Sequence, residues 1–170
     1  NGDGDGENIP VDVQRLPVFT ISKIEWVDDE DNLITSFSEG TEAYAKIYIL
    51  NGGSFDVTGT VEISLTKSDK KITPTPNFGA NIDFNAVTET VLMINGDYPK
   101  VNFNSQDQSG FTGQWTVDII IKDIFAKNSD EQIWDSEELT FSDTNNKVLV
   151  ALPPDLALTQ FTSSDLGINE

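Results

Sequence analysis

Cysteine and histidine are both absent from the 170 residues. Without a thiol or an imidazole, disulfide scaffolds, zinc sites, cysteine nucleophiles and every histidine-dependent triad are excluded. Long hydrophobic runs are missing too. No apolar stretch approaches the roughly 20 residues a membrane-spanning helix needs, so membrane insertion is not expected. No Gly-x-Ser-x-Gly elbow and no Asn-x-Ser/Thr sequon occurs, and no segment holds a helical period between caps. Cationic side chains are scarce: 10 Lys+Arg stand against 29 Asp+Glu, a formal net charge of -19. Such a polyanion is repelled by nucleic acid and by anionic lipid, so neither is expected as a partner. Solubility in salt, a divalent cation or a basic partner remain as reasons for the charge.

What is present suits a packed domain. Hydrophobic residues make up 37% of the chain and aromatics 9%, enough to argue against global disorder. A chain of this length buries roughly 70% of its unfolded surface and needs no cross-link to fold. The text reads as strands separated by Gly, Asn and Pro turns. Phe19, Ile21 and Ile24 share a face before Trp26. An acidic turn, Asp28 to Asn32, leads as in a hairpin to Leu33–Phe37. Thr41 to Leu50 alternates strictly, with Ala43, Ala45, Ile47 and Ile49 on one face and Tyr44, Lys46 and Tyr48 on the other. Asn51-Gly52-Gly53, tolerant of positive φ, ends that strand. Phe55 to Thr66 alternates again, and Gly59 marks a bulge. A loop is expected from Lys67 to Ala80, then strands over Ala86–Ile94, Lys100–Phe103, Phe111–Phe125 and Gln132–Phe141. The spacing predicts an all-β fold, an antiparallel two-sheet sandwich of jelly-roll or immunoglobulin-like type. The expected divisions are an N-terminal tail and possible donor strand over 1–17, the sandwich over 18–146, and a C-terminal strand and tail over 147–170 that is open to being part of the sandwich.

Three groups of residues carry candidate chemistry. Asp3, Asp5 and Glu7 alternate with glycine, and Ca²⁺ takes six to eight oxygens from flexible backbone of this kind. They match the first half of an EF-hand loop, but Asn8 stands at the glycine position and Gln14 at that of the bidentate Glu, which argues against a self-contained EF-hand. Asp28, Asp29, Glu30 and Asp31 pack four like charges into one turn, and a bound cation would remove their repulsion; a solvated hairpin tip is the plain alternative. Val11, Val13, Leu16 and Val18 form an extended segment that either edges its own sheet or adds to a neighbour's. Val148–Leu152 is open to the same two readings. Trp26, Trp115 and Trp134 offer a sugar platform, although Trp115 is in phase with the core residues Val117, Ile119 and Ile121, while Trp134 lies in an acidic strand. No acid and nucleophile are placed as glycoside hydrolysis requires, and no enzyme activity is expected.

The Gly/Asp start, the extended segment from Val11 to Ile21 and the acidic turn together resemble extracellular filament subunits that polymerise by donor-strand complementation. Nearest in character are the cannula tubule proteins of hyperthermophilic archaea, with the matrix-fibre proteins of bacilli further off. The resemblance is one of architecture and composition over the whole chain. It implies a homopolymer with Ca²⁺ as cofactor, at an extracellular or cell-surface location. A chain that starts at Asn1 rather than Met fits removal of a signal peptide or of an expression leader. Asn51-Gly52 and Asn95-Gly96 are heat-labile pairs that depart from a hyperthermophilic setting. The alternative is an immunoglobulin-like adhesion or carbohydrate-binding module, with a glycan as partner.

Overall fold

The computed structural model describes residues 14–38, 40–103, 112–127 and 140–151. They form ten strands, no helix, and two facing sheets. In the first sheet β3 (Glu42–Asn51) is central. It pairs antiparallel with β1 (Phe19–Val27) on one side and with β7 (Thr88–Val91) and β8 (Lys100–Asn102) on the other. In the second sheet β9 (Gly113–Ala126) lies between β4 (Val57–Lys67) and β10 (Phe141–Ala151). The far side of β4 carries β5 (Lys70–Ile72) and β6 (Phe78–Phe84), while β2 (Phe37–Ser38) joins β10 in a short parallel pair. The fold is thus all-β, an antiparallel two-sheet sandwich.

Alternation explains which faces meet. Ala43, Ala45, Ile47 and Ile49 of β3 are buried against Val57, Val61, Ile63 and Leu65 of β4 and Trp115, Val117, Ile119 and Ile121 of β9. Trp115 is wholly buried, as its phase predicts. Aromatic rings close the two ends of the sandwich in edge-on contacts favoured by their quadrupoles. Phe19 meets Phe84 at 5.0 Å and Phe141 at 6.2 Å where β1 begins. Trp26, Phe37 and Phe103 form a triangle with centroid separations of 5.5 to 6.4 Å where β1 finishes.

Bulges set the phase elsewhere. A register shift between Ile21 and Lys23 lets Phe19 and Ile21, then Ile24 and Trp26, pack against one core. Gly59 sits where both neighbours of β4 shift register. A Cβ on Gly59 would lie 3.1 Å from a methyl of Ile121, and the extra residues fall near Asn81 and Asp123, both at positive φ. The shift in β9 turns Ile124 inward to 1% exposure, although simple alternation puts it with Ile120 on the outer face.

Three expectations are corrected. Residues 67–80 are not one loop, because β5 and the start of β6 lie in them. Of the two readings of the run at Val148, the strand of its own sandwich is the one observed, and the expected division at 146/147 falls within it, because β10 is continuous from Phe141 to Ala151. Asn51, Gly52 and Gly53 adopt no positive φ; Asn51 belongs to β3 and is fully buried. Its amide donates to the carbonyls of Phe55 (2.9 Å) and Phe84 (3.2 Å) and accepts from the Gly53 N–H (3.0 Å).

Candidate functional site

The acidic turn is built from its own hydrogen bonds. Val27 bridges Leu33, and the Ile34 N–H donates to the Trp26 carbonyl at 2.7 Å, so the turn closes a short hairpin. Phe37 then crosses to the second sheet. The Asp28 carboxylate accepts from the backbone N–H groups of Glu30 (3.0 Å) and Asn32 (2.8 Å) and from the Asn32 amide. These donors, the Asn32 side chain first, hold Asp28 below the usual carboxylate range. Asp31 adopts a left-handed φ of 69°. Both its oxygens face the Lys46 ammonium, at 2.5 and 2.7 Å, and this contact raises Lys46 above its ordinary value.

Beside the turn lies a groove of about 400 Å³. Asp28, Asp29, Asp31 and Asp97 supply its carboxylates, and Tyr44, Tyr98 and Met93 its apolar walls. Asp97 arrives through the tight turn Asn95–Gly96, whose φ values of 55° and 90° suit Asn-Gly. Lys46 lies 5.3 Å from the Tyr98 ring centre and Lys100 6.0 Å from that of Tyr44. The groove therefore already handles ammonium groups by ring face and carboxylate together, the chemistry of cation recognition. Tyr48, which alternation pairs with Tyr44, does different work: its hydroxyl donates to Glu25 at 2.7 Å beneath Lys23, which sits 4.1 Å from its ring centre. The Lys23 ammonium first, and then the Tyr48 hydroxyl, lower Glu25; Glu25 in turn raises Tyr48.

The expected calcium ligands divide. Asp3, Asp5 and Glu7 lie outside the described residues. In the turn, Asp28 and Asp31 already face protein donors. No group of three or more acidic side chains is arranged to hold a metal among the described residues. The turn taken alone is an incomplete shell for an ion that takes six to eight oxygens.

Of the expected interface residues, Val11 and Val13 lie outside the described residues, as does Trp134. Leu16 and Val18 are exposed. Their backbone runs along its own chain: the Val18 carbonyl accepts from Gly52 at 2.8 Å, and that of Arg15 from Ser54 at 2.9 Å. Gly53 is needed there, since a Cβ would approach the Leu16 carbonyl to 2.6 Å. The C-terminal run is likewise held at home, with Val148 and Val150 paired to Trp115 and Gly113 of β9. Sequence reasoning missed Tyr98, Met93 and Asp97 as partners of the turn. The Asn-Gly signal located their loop, but nothing in the text placed it beside Asp28.

No family model matches the chain, and neither the curated proteins nor the solved structures contain a match. Among the described residues no helix is long and apolar enough to cross a membrane.

Proposed function

We propose that the chain is a non-catalytic structural subunit of an extracellular filament or tube, built by strand addition between copies and strengthened by Ca²⁺. The observation that carries this reading is the edge of β10. Among the described residues, Phe141–Leu149 has β9 on one side and no strand on the other, because β2 pairs only with Val150 and Ala151. An open edge of nine residues offers a row of main-chain groups to an incoming strand. With Val148–Val150 and Arg15–Val18 engaged in their own chain, the donor on this reading is the segment before Gln14, which holds Val11 and Val13. Its acids Asp3, Asp5 and Glu7 would complete, together with Asp29 and Glu30 of a neighbour, the oxygen shell that the turn lacks.

The test is assembly. Millimolar Ca²⁺ added to the purified chain should give filaments in electron micrographs, EDTA should reverse them, and deletion of residues 1–13 should abolish them. A wild-type chain that stays monomeric at every Ca²⁺ concentration overturns the reading. A second reading, an adhesion or carbohydrate-binding module, is favoured by one feature, the Tyr44 and Tyr98 walls of the groove. It requires a monomer whose tyrosine signals respond to a polysaccharide, and loss of that response in Tyr98→Ala.

A further inference from the structure

Arg15 is the sole arginine in the sequence. Its side chain is exposed, while its backbone is fixed by two hydrogen bonds to Ser54. A fixed backbone beneath a free guanidinium makes a presented group, not a dangling one. Around it the sandwich exposes apolar surface. Leu16 and Val18 follow it in sequence, and Val87 stands beside the Asn51–Thr88 pairing on the far side of β3. Val87 holds a left-handed φ of 53°, a conformation β-branched residues rarely adopt. Among the described residues this end thus joins an apolar face to two cations, Lys127, already paired with Asp83 at 2.7 Å, and Arg15.

The groove of Asp28, Asp29, Asp31 and Asp97 lies at the other end. β1 begins beside Arg15 and delivers Val27 to the groove wall. Twelve residue steps separate Arg15 from Val27, up to about 40 Å at the rise of a strand. An arginine cannot reach its own groove over that span. Four carboxylates line the groove, of which Asp31 pairs with Lys46 and Asp28 is held by Asn32, and two tyrosine rings and Met93 give flat, polarisable walls. Arg suits such a place better than Lys, because its planar fork bonds carboxylates in pairs and stacks on rings. Leu33 and Met93, both exposed, give this end apolar surface to meet Leu16 and Val18.

We infer that Arg15 of one copy docks in the acidic tyrosine groove of the next, as the polar anchor of a head-to-tail contact. The two halves lie at opposite ends of one chain, so copies joined in line make a heterologous, open contact, whereas two antiparallel copies exchanging both anchors would close as a dimer that scatters little light. This inference rests on the self-assembling reading and names where its subunits meet. It is separate from strand addition, since Arg15 lies outside the deleted segment 1–13.

Charge reversal on the full-length chain tests it. Arg15→Glu, and separately Asp97→Lys, which leaves the proposed Ca²⁺ ligands untouched, should each raise the protein concentration for half-maximal light scattering in Ca²⁺ at least tenfold. Circular dichroism and the thermal midpoint should stay those of wild type. Mixing the two variants restores both complementary contacts in alternation, wild-type at one junction and reversed at the next, and assembly should return. Unchanged assembly by Arg15→Glu, or mixed variants that fail where wild type polymerises, overturns the docking while leaving strand addition standing. A wild-type chain that never assembles overturns both.

Discussion

At the scale of single residues, the described structure hangs on polar side chains that composition alone would assign to the surface. Asn51 joins β3, the Phe55 loop and the end of β6 from a fully buried position. Asn51→Leu leaves two carbonyls and one N–H without this partner in a dry site, and each orphan costs about 1–3 kcal/mol. A loss of roughly 3 kcal/mol should appear as a lower urea midpoint at unchanged slope. Asp28 makes the pH prediction. Its folded value lies below the ordinary one, so its contribution to stability is fully present above the usual carboxylate range. That contribution fades as pH falls through the depressed folded value. Asn32→Ala removes the largest cause, and carboxyl-detected NMR titration should show Asp28 moving back up toward an ordinary aspartate. The sequence showed four acids in a row but not that two of them were spoken for. Nothing in the text of residues 28–31 reveals that Asn32 folds over Asp28 or that Lys46, fifteen positions on, lies across from Asp31.

At the scale of elements, strict alternation was legible and irregular strands were not. β3, β4 and most of β9 follow a period of two and were readable with their faces assigned. β6 was missed because Phe78-Gly-Ala-Asn-Ile-Asp-Phe84 breaks its alternation at the bulge beside Asn81. β10 was divided because Ser142–Lys147 is polar, and polarity reads as a turn. The structure spends those residues on a bulge between Asp143 and Asn146, where Asp143 accepts from the Asn145 N–H at 2.8 Å. The register of pairing is a long-range property, and a strand's own residues report only half of it. If β6 is part of the core, Phe84→Ala should destabilise by about 3–5 kcal/mol, and the amides of 79–84 should exchange slowly with deuterium. Fast exchange across β6 in the wild type would return that stretch to a loop.

At the scale of the whole molecule, a formal charge of -19 opposes compaction as well as association. Added sodium chloride screens charges beyond roughly 10 Å at 0.1 M, so the thermal midpoint should rise between 10 and 500 mM salt. A midpoint that falls would mean that local ion pairs such as Lys46–Asp31 outweigh the general repulsion. On the proposed assembly, the same self-repulsion would give end-to-end joining a use for the chain's only arginine.

The directions of the first and last described strands carry a mechanical consequence. β1 starts at the end of the sandwich where the described chain comes in, and β10 finishes at the opposite end, where it goes out. Both point the same way along the long axis, in different sheets, and each is bonded antiparallel to an inner neighbour. Tension applied through Arg15 and Ala151 therefore runs parallel to the strands. The cross-strand bonds of β1 to β3 and of β10 to β9 are loaded in shear, all rungs sharing the force, and none is peeled open first. A chain of such units would yield late and abruptly under load, behaving more like rope than like zip.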